Sequence, residues 1–144
     1  MKKLIFRGAG VAIVTPFTAD EINFPEFRRM IDHQIDHGTD AIIVAGTTGE
    51  AATMNDAEHK AAIKFAVETV RGRVPVIAGA GSNDTSYAIH LSQYSEQAGA
   101  DGLLLVTPYY NKCTQKGLVE HFRAIADSVS IPCILYDVPS RTGV

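Results

Sequence analysis

Hydrophobic positions along the chain alternate between two textures with a repeat of about thirty residues. Near-continuous apolar runs occupy residues 11–14, 41–45, 74–78, 103–106 and 133–136, with starts 30, 33, 29 and 30 residues apart. Runs this short, with little polar alternation, fit strands of a parallel sheet buried on both faces. The segments between them carry apolar residues at helical spacing instead. Phe27, Met30, Ile31 and Ile35 form one such stripe, which stops at Gly38. A second runs through Ala62, Ile63, Ala66, Val67 and Val70 to Gly72. Asn55, followed three residues later by Glu58, predicts its N-terminus as a capping box. Asp84 caps a third stripe of Ala88, Leu91 and Ala98 that ends at Gly99. A fourth runs from Gln115 through Leu118, Phe122, Ile125 and Val129.

The element order is therefore β-α-β-α-β-α-β-α-β, without linker or low-complexity segment, in one domain over residues 1–144. Repeated right-handed βα units build either a doubly wound open sheet or a (β/α) barrel, and periodicity does not choose between them. Gly79-Ala80-Gly81 lacks the third glycine and the following Lys-Ser of nucleotide-binding loops, and reads as a tight turn between strand and helix.

Composition narrows the class. At 144 residues and 46% hydrophobic, the chain is long and apolar enough to bury a core. The formal charge of -3 is mild and the Lys and Arg residues are scattered, so a nucleic-acid footprint is not expected. No apolar run approaches the ~20 residues of a membrane helix. The opening from Met1 to Phe6 is positive then apolar, but Arg7 and Gly8 cut it too short for a signal peptide. Cys113 and Cys133 are too few for a disulfide scaffold and lack metal-ligand spacing. The expectation is a cytoplasmic protein with no membrane, nucleic-acid, metal or cofactor partner.

In either candidate fold, functional residues gather at the carboxyl ends of the strands. There the sequence places Gly46-Thr47-Thr48-Gly49-Glu50, Gly79-Ala80-Gly81-Ser82-Asn83, Thr107-Pro108-Tyr109-Tyr110-Asn111 and the segment from Tyr136 to Gly143. Two glycines flanking paired threonines let backbone N–H groups and hydroxyls approach a small carboxylate. Tyrosine hydroxyls at two other strand ends can join those threonines in a proton relay, which a phenol of ordinary pKa about 10 needs near neutrality. Arg141 offers a bidentate clamp for a second carboxylate. Each feature also has a plain structural reading: a common turn, a packing tyrosine, a solvated arginine. Their shared placement is what makes the functional reading the stronger one.

Gly46-Thr47-Thr48-Gly49-Glu50, Val106-Thr107-Pro108-Tyr109-Tyr110-Asn111 and Tyr136-Asp137-Val138-Pro139-Ser140-Arg141-Thr142-Gly143, in that order, resemble the dihydrodipicolinate synthase family of pyruvate-dependent aldolases. The opening Gly10-Val11-Ala12-Ile13-Val14-Thr15-Pro16-Phe17 and Pro75-Val76-Ile77-Ala78-Gly79 are similar as well, so the resemblance covers the whole chain. It implies the α/β TIM-barrel (β/α)8 fold, here a half-barrel of about four βα units plus a fifth strand. It also implies a Schiff-base aldol condensation of pyruvate with aspartate semialdehyde, a lyase step of lysine biosynthesis. By the same resemblance Thr47 and Thr48 hold the pyruvate carboxylate, and Thr47 links two tyrosines. Tyr136 is the main acid/base, Tyr110 completes the relay from a neighbouring subunit, and Arg141 binds the semialdehyde carboxylate.

Two departures qualify the resemblance. Asp137 stands where the family carries asparagine, next to the strand-five tyrosine. At the family's lysine-feedback site Ser82, Asn83, His59 and Tyr109 fit, but Asp56 and Tyr87 replace a histidine and a glutamate, so feedback inhibition is not expected. The family's Schiff-base lysine lies on strand six, beyond Val144. Lys2, Lys3, Lys60, Lys64, Lys112 and Lys116 all fall outside the strands and read as solvated charges, not as the desolvated amine such chemistry needs. The expectation is a chain inactive alone. A non-catalytic carboxylate-binding module, a self-assembling half-barrel and one piece of a split enzyme are its alternatives. Half a barrel leaves its first and last strands as open edges and exposes interior side chains, with Val11, Ile13, Ile43, Ile77, Leu104 and Val106 as candidates, depending on which alternate set points inward. A homodimer or higher homo-oligomer is expected from that.

Overall fold

The computed structural model describes residues 4–144. Five strands, β1 (Gly10–Ala12), β2 (Ala41–Val44), β3 (Val76–Gly79), β4 (Gly102–Val106) and β5 (Cys133–Tyr136), alternate with helices α1 (Phe24–Asp36), α2 (Asp56–Val70), α3 (Thr85–Gln97) and α4 (Gln115–Ala126). A 3-10 turn (Ala51–Thr53) precedes α2, and a single helical turn, α5 (Pro139–Thr142), follows β5. All pairings among these five strands are parallel and the sheet order is β1-β2-β3-β4-β5. That order resolves the ambiguity of the sequence. A doubly wound sheet reverses direction at a switch point, whereas a barrel adds each strand on the same side. The chain is a half-barrel.

Local chemistry sets the helix ends as expected. Asn55 Oδ1 accepts from Glu58 N at 3.0 Å, while Glu58 Oε2 accepts from Asn55 N at 2.9 Å. Asp84 Oδ1 accepts from Ser86 N and Tyr87 N, and Thr114 Oγ1 accepts from Gly117 N. The fourth helix is shorter than its apolar stripe implies: it ends at Ala126, and Val129 reaches the core from the loop beyond. An antiparallel bridge between Phe17 and Ile22, closed by a turn in which Thr18 N donates to Glu21 O, precedes α1 and has no counterpart in the periodicity.

Strand register sorts the sheet's two faces. Ile42, Val76, Val44, Ala78, Leu103 and Leu105 point to the helices and meet Phe27, Ile31, Ala62, Ile63, Ala66, Val70, Ala88, Leu91 and Ile125 in one buried core. Each large side chain so buried stabilises the fold by roughly 1.5–3 kcal/mol. Phe24 and Phe27 pack on Phe65 with ring centroids 4.7 and 5.8 Å apart. Ile43 pairs with Ile77 across β2 and β3, and Gly79 with Leu104 across β3 and β4; they share the concave face with Val106 and Tyr136. Of the six interior candidates, Val11 and Ile13 therefore face the helices instead.

The concave face is also less exposed than a cut barrel suggests. Ile77 is fully buried, and Ile43, Leu104 and Val106 are half-buried. Part of the cover comes from the N-terminal segment. A β-carbon on Gly102 would lie 3.1 Å from Ile5 Cδ1 and 3.2 Å from Ile77 Cδ1, so Ile5 stops the bottom of the half-barrel.

Candidate active site

Backbone contact brings the carboxyl ends of the central strands together. A β-carbon on Gly79 would fall 2.2 Å from Ala45 O, and one on Gly81 would fall 2.4 Å from Val106 N. Only glycine permits either approach. The loop after β2 is held by its own bonds. Thr15 Oγ1 donates to Gly49 O at 2.8 Å, Glu50 N donates to Thr47 O at 3.0 Å, and Glu50 adopts a left-handed φ of 61°. After β4, Thr107 N donates to Tyr136 O and Thr107 Oγ1 to Asp137 Oδ1, which ties β4 to the end of β5. Pro139 starts α5 and Gly143, at φ 71°, ends it, the arrangement that suits those two residues.

These strand ends enclose a cavity of about 530 Å³. Gly46 and Thr47 line it from β2, Gly79, Gly81 and Ser82 from β3, Leu104, Val106 and Tyr109 from β4, and Tyr136, Arg141 and Thr142 from β5 and α5. Of the expected site residues, Thr47, Tyr136 and Arg141 thus meet around one space. Thr48 is exposed and off its wall, and Tyr110 lies outside it, 96% exposed with φ 68°. Asp137 is also off the cavity wall, with its carboxylate accepting from Thr107.

A second group closes the side of the cavity nearest α2. His59 is buried, and its Nε2 donates to Gly79 O at 2.8 Å; the carbonyl can only accept, which fixes the tautomer. Burial pushes this imidazole below its usual pKa. Lys60 Nζ donates to Asp56 Oδ2 at 2.7 Å and, with the Tyr87 hydroxyl, holds that carboxyl below the usual range. Burial first, and then the bond to Asp56, pushes the Tyr87 phenol up. Sequence motifs alone do not mark Ala51, Met54 or Thr142 as cavity residues. The Pro139-to-Gly143 spacing is the one signal that could have placed Thr142 on a helical turn.

The lysines divide differently from expectation. Lys60 is no simple solvated charge: its side chain is 20% exposed, its Nζ also lies 2.7 Å from His90 Nε2, and it sits over the Tyr94 ring at 5.4 Å. Lys64 pairs with Glu68, and Lys112 and Lys116 are exposed. Lys2 and Lys3 lie outside the described residues. No lysine lines the cavity among the described residues. The wall therefore offers hydroxyls, phenols and a guanidinium, groups that bind carboxylates and relay protons. Among the described residues no helix is long and apolar enough to cross a membrane.

A one-directional parallel sheet with a cavity at the carboxyl ends of its strands is the plan of a (β/α)8 barrel, represented here by five strands. Residues 5–144 match the model of the dihydrodipicolinate synthetase family. The chain is 61% identical over 144 residues to the 4-hydroxy-tetrahydrodipicolinate synthase of Acetivibrio thermocellus, covering all of this chain and 49% of that one. It superposes on the dihydrodipicolinate synthase of Aquifex aeolicus with a TM-score of 0.94 at 50% identity, covering 96% of this chain and 47% of that one. A TM-score of 0.94 at 46% identity relates it to the chloride-inhibited enzyme of Acinetobacter baumannii complexed with pyruvate, over 98% of this chain and 48% of the other. The chain belongs to the dihydrodipicolinate synthetase family and spans about half the length of the curated relatives it matches.

Proposed function

We propose that residues 4–144 carry the carboxylate-binding and proton-transfer residues of a 4-hydroxy-tetrahydrodipicolinate synthase-type lyase, and that their cavity turns over only when a lysine from outside these residues reaches it. The observation that carries this reading is the convergence of Thr47, Tyr136 and Arg141 on one cavity lined by no lysine among the described residues. Pyruvate, present in the related Acinetobacter enzyme, is the first substrate. The incoming amine adds to its keto carbon and water leaves, giving a Schiff base. The derived enamine carbon then adds to the aldehyde of aspartate semialdehyde, and the amino group of the added substrate attacks the imine carbon, closing the ring and expelling the lysine as free amine. Thr47 binds the pyruvate carboxylate from the cavity wall, Thr48 joins it from the same loop when ligand draws that loop in, Tyr136 exchanges protons with the reacting oxygen, and Arg141 clamps the second carboxylate. Tyr110 faces outward and serves the relay of a neighbouring copy.

Borohydride reduction in the presence of labelled pyruvate tests the assignment. The 144-residue chain alone should remain unlabelled. Mixed with a separately expressed segment of a relative spanning the half that this chain does not cover, label should appear on that segment. A labelled lysine within residues 4–144 overturns the proposal. Calorimetric titration with pyruvate distinguishes a binding module, which takes up ligand without partner or turnover.

One observation favours self-association as a second reading. Leu135 pairs with buried Leu105 on the helix-facing side of the sheet, yet it is 59% exposed on edge strand β5. An open edge beside an exposed apolar residue invites pairing with another chain. Two copies of four βα units reach the eight strands of barrel closure and leave β5 surplus. A monomer by light scattering sinks this reading.

A further inference from the structure

We infer that Thr15, a residue off the cavity wall, is a positioning residue that holds the base of the Thr47 loop and so sets where pyruvate's carboxylate can bind. The role rests on the lyase reading of the cavity and adds to it the group that keeps the binding loop in place. Between Gly46 and Glu50 a single residue, Gly49, is buried; Thr47, Thr48 and Glu50 are exposed. A β-carbon on Gly49 would lie 3.1 Å from Ile13 O and 3.2 Å from Ala45 Cα, so the exits of β1 and β2 close on it from two sides. Its carbonyl accepts from Thr15 Oγ1 at 2.8 Å. Glu50 N donates to Thr47 O and Ala51 N to Gly46 O, bonds that shape the turn without fixing where it stands against the strand ends. The bond from Thr15 fixes that, because it crosses 34 positions of sequence. Thr47 lies two residues before Gly49, so a shift at Gly49 carries the Thr47 hydroxyl with it.

Thr15 can act as a tether because its own place is settled. Ile13 N donates to Ile43 O at 3.1 Å and Asn23 N to Pro16 O at 2.8 Å, while Phe17 bridges Ile22. Pro16 holds the residue before it extended, and branching at the β-carbon restricts the threonine rotamer. Thr15 is 2% exposed, so water does not compete for its hydroxyl. A hydroxyl has one proton to give, and Gly49 O takes it. Without that donor the buried carbonyl is unpaired, and the loop must move to recover a partner. T15V keeps the branched shape and removes the donor. T15S keeps the donor and removes only a methyl group.

Amide hydrogen exchange on the 144-residue chain reads the tether itself. T15V should speed exchange at Glu50 and Ala51 roughly tenfold and leave the Glu58 amide of the α2 capping box at the parent rate, while T15S keeps all three near the parent. Pyruvate saturation of the complemented assembly reads the role. There T15V should raise the KM for pyruvate roughly tenfold, with kcat and the KM for aspartate semialdehyde within about twofold, because Arg141 stands on α5 and has no share in the tether. T15S should lose some stability to urea yet keep the parent KM. Parent exchange rates in T15V, an unchanged pyruvate KM, or an equal loss toward both substrates overturns the proposal. A parent assembly that takes up no pyruvate removes the lyase reading instead, and the positioning role with it.

Discussion

The carbonyl oxygen of Ala45 stands 2.2 Å from the point where Gly79 would carry a β-carbon. Ala45 itself sits at φ 54°, left-handed and buried, at the exit of β2. On the other side, the Gly79 carbonyl is taken by His59 Nε2. One residue of β3 is thus pinned between the strand before it and the helix before it. The cavity wall owes its shape to that pinning, because the Thr47 loop begins just past Ala45.

Gly79→Ala should therefore destabilise the chain by about 1–3 kcal/mol, the range for overpacking against rigid backbone. Gly46, the residue after Ala45 on the same wall, has no heavy atom within 4 Å of its β-carbon position. Gly46→Ala should stay within roughly 0.5 kcal/mol of the parent. Urea denaturation of both variants checks the pair. Equal stabilities would mean that the strand ends can separate at no cost.

The capping box at α2 carries a smaller, more local quantity. Asn55→Ala removes the acceptor of Glu58 N and leaves that donor to solvent, at a cost of about 1 kcal/mol. Glu58→Ala removes only the reciprocal bond to Asn55 N and should cost less. A reversed order in thermal unfolding would contradict the box as drawn.

Such local features were legible from the residues alone. The box at Asn55 and the Asp84 cap rest on interactions within a few positions of one another. What faced the barrel interior was not legible, because strands apolar on both faces carry no alternation to read. Val11 and Ile13 were equal candidates with Ile43 until register separated them. Lys60 misled for a related reason: His90 and Tyr94, which cover it, come from α3, so its sequence neighbourhood reads as plain surface. At the site, strand-end placement marked Thr47, Tyr136 and Arg141. The outward turn of Tyr110 depends on one backbone angle that no motif spells out.

Two buried imidazoles set a pH dependence. Burial holds His59 and His121 below the ordinary value of 6.5. Unfolding returns each to water, where it binds a proton more readily. The unfolded chain therefore carries more protons between the folded values and 6.5, and stability rises with pH across that window. It is fully present above about 6.5 and is lost as pH falls, with a slope approaching about 1.4 kcal/mol per pH unit for each proton taken up. Urea midpoints at pH 7.5 and 5.5 measure the loss. His59→Gln with His121→Gln should flatten it, and an unchanged difference would assign it to other groups.

Leu135 separates folding from association. At 59% exposure it contributes little to the isolated chain, so Leu135→Lys should alter stability by no more than roughly 0.5 kcal/mol. A charge on an edge strand opposes pairing with another chain. Sedimentation should then show a smaller species than the parent, or weaker recruitment of a complementary half. A variant that associates as the parent does would move the contact away from β5.

Tyr110 offers the sharpest contrast between stability and use. It is 96% exposed and holds φ 68°, a region in which a non-glycine residue costs about 1–2 kcal/mol. Asn83 Nδ2 fixes the surrounding loop by donating to Tyr109 O at 3.2 Å and to Asn111 Oδ1 at 3.0 Å, so the strained residue is bracketed by bonds on both sides. An exposed aromatic ring has no share in the core that would offset the strain. Tyr110→Gly should relieve it and stabilise the isolated chain by about 0.5–1 kcal/mol, the relief being reduced by glycine's greater unfolded-state freedom. If the ring serves a neighbouring copy, the same variant should lower activity in the complemented assembly. Tyr110→Phe, which keeps the strain and removes only the hydroxyl, should lower activity without the gain in stability. A Tyr110→Gly chain that is less stable than the parent, with activity intact, would remove both the strain and the relay from the account.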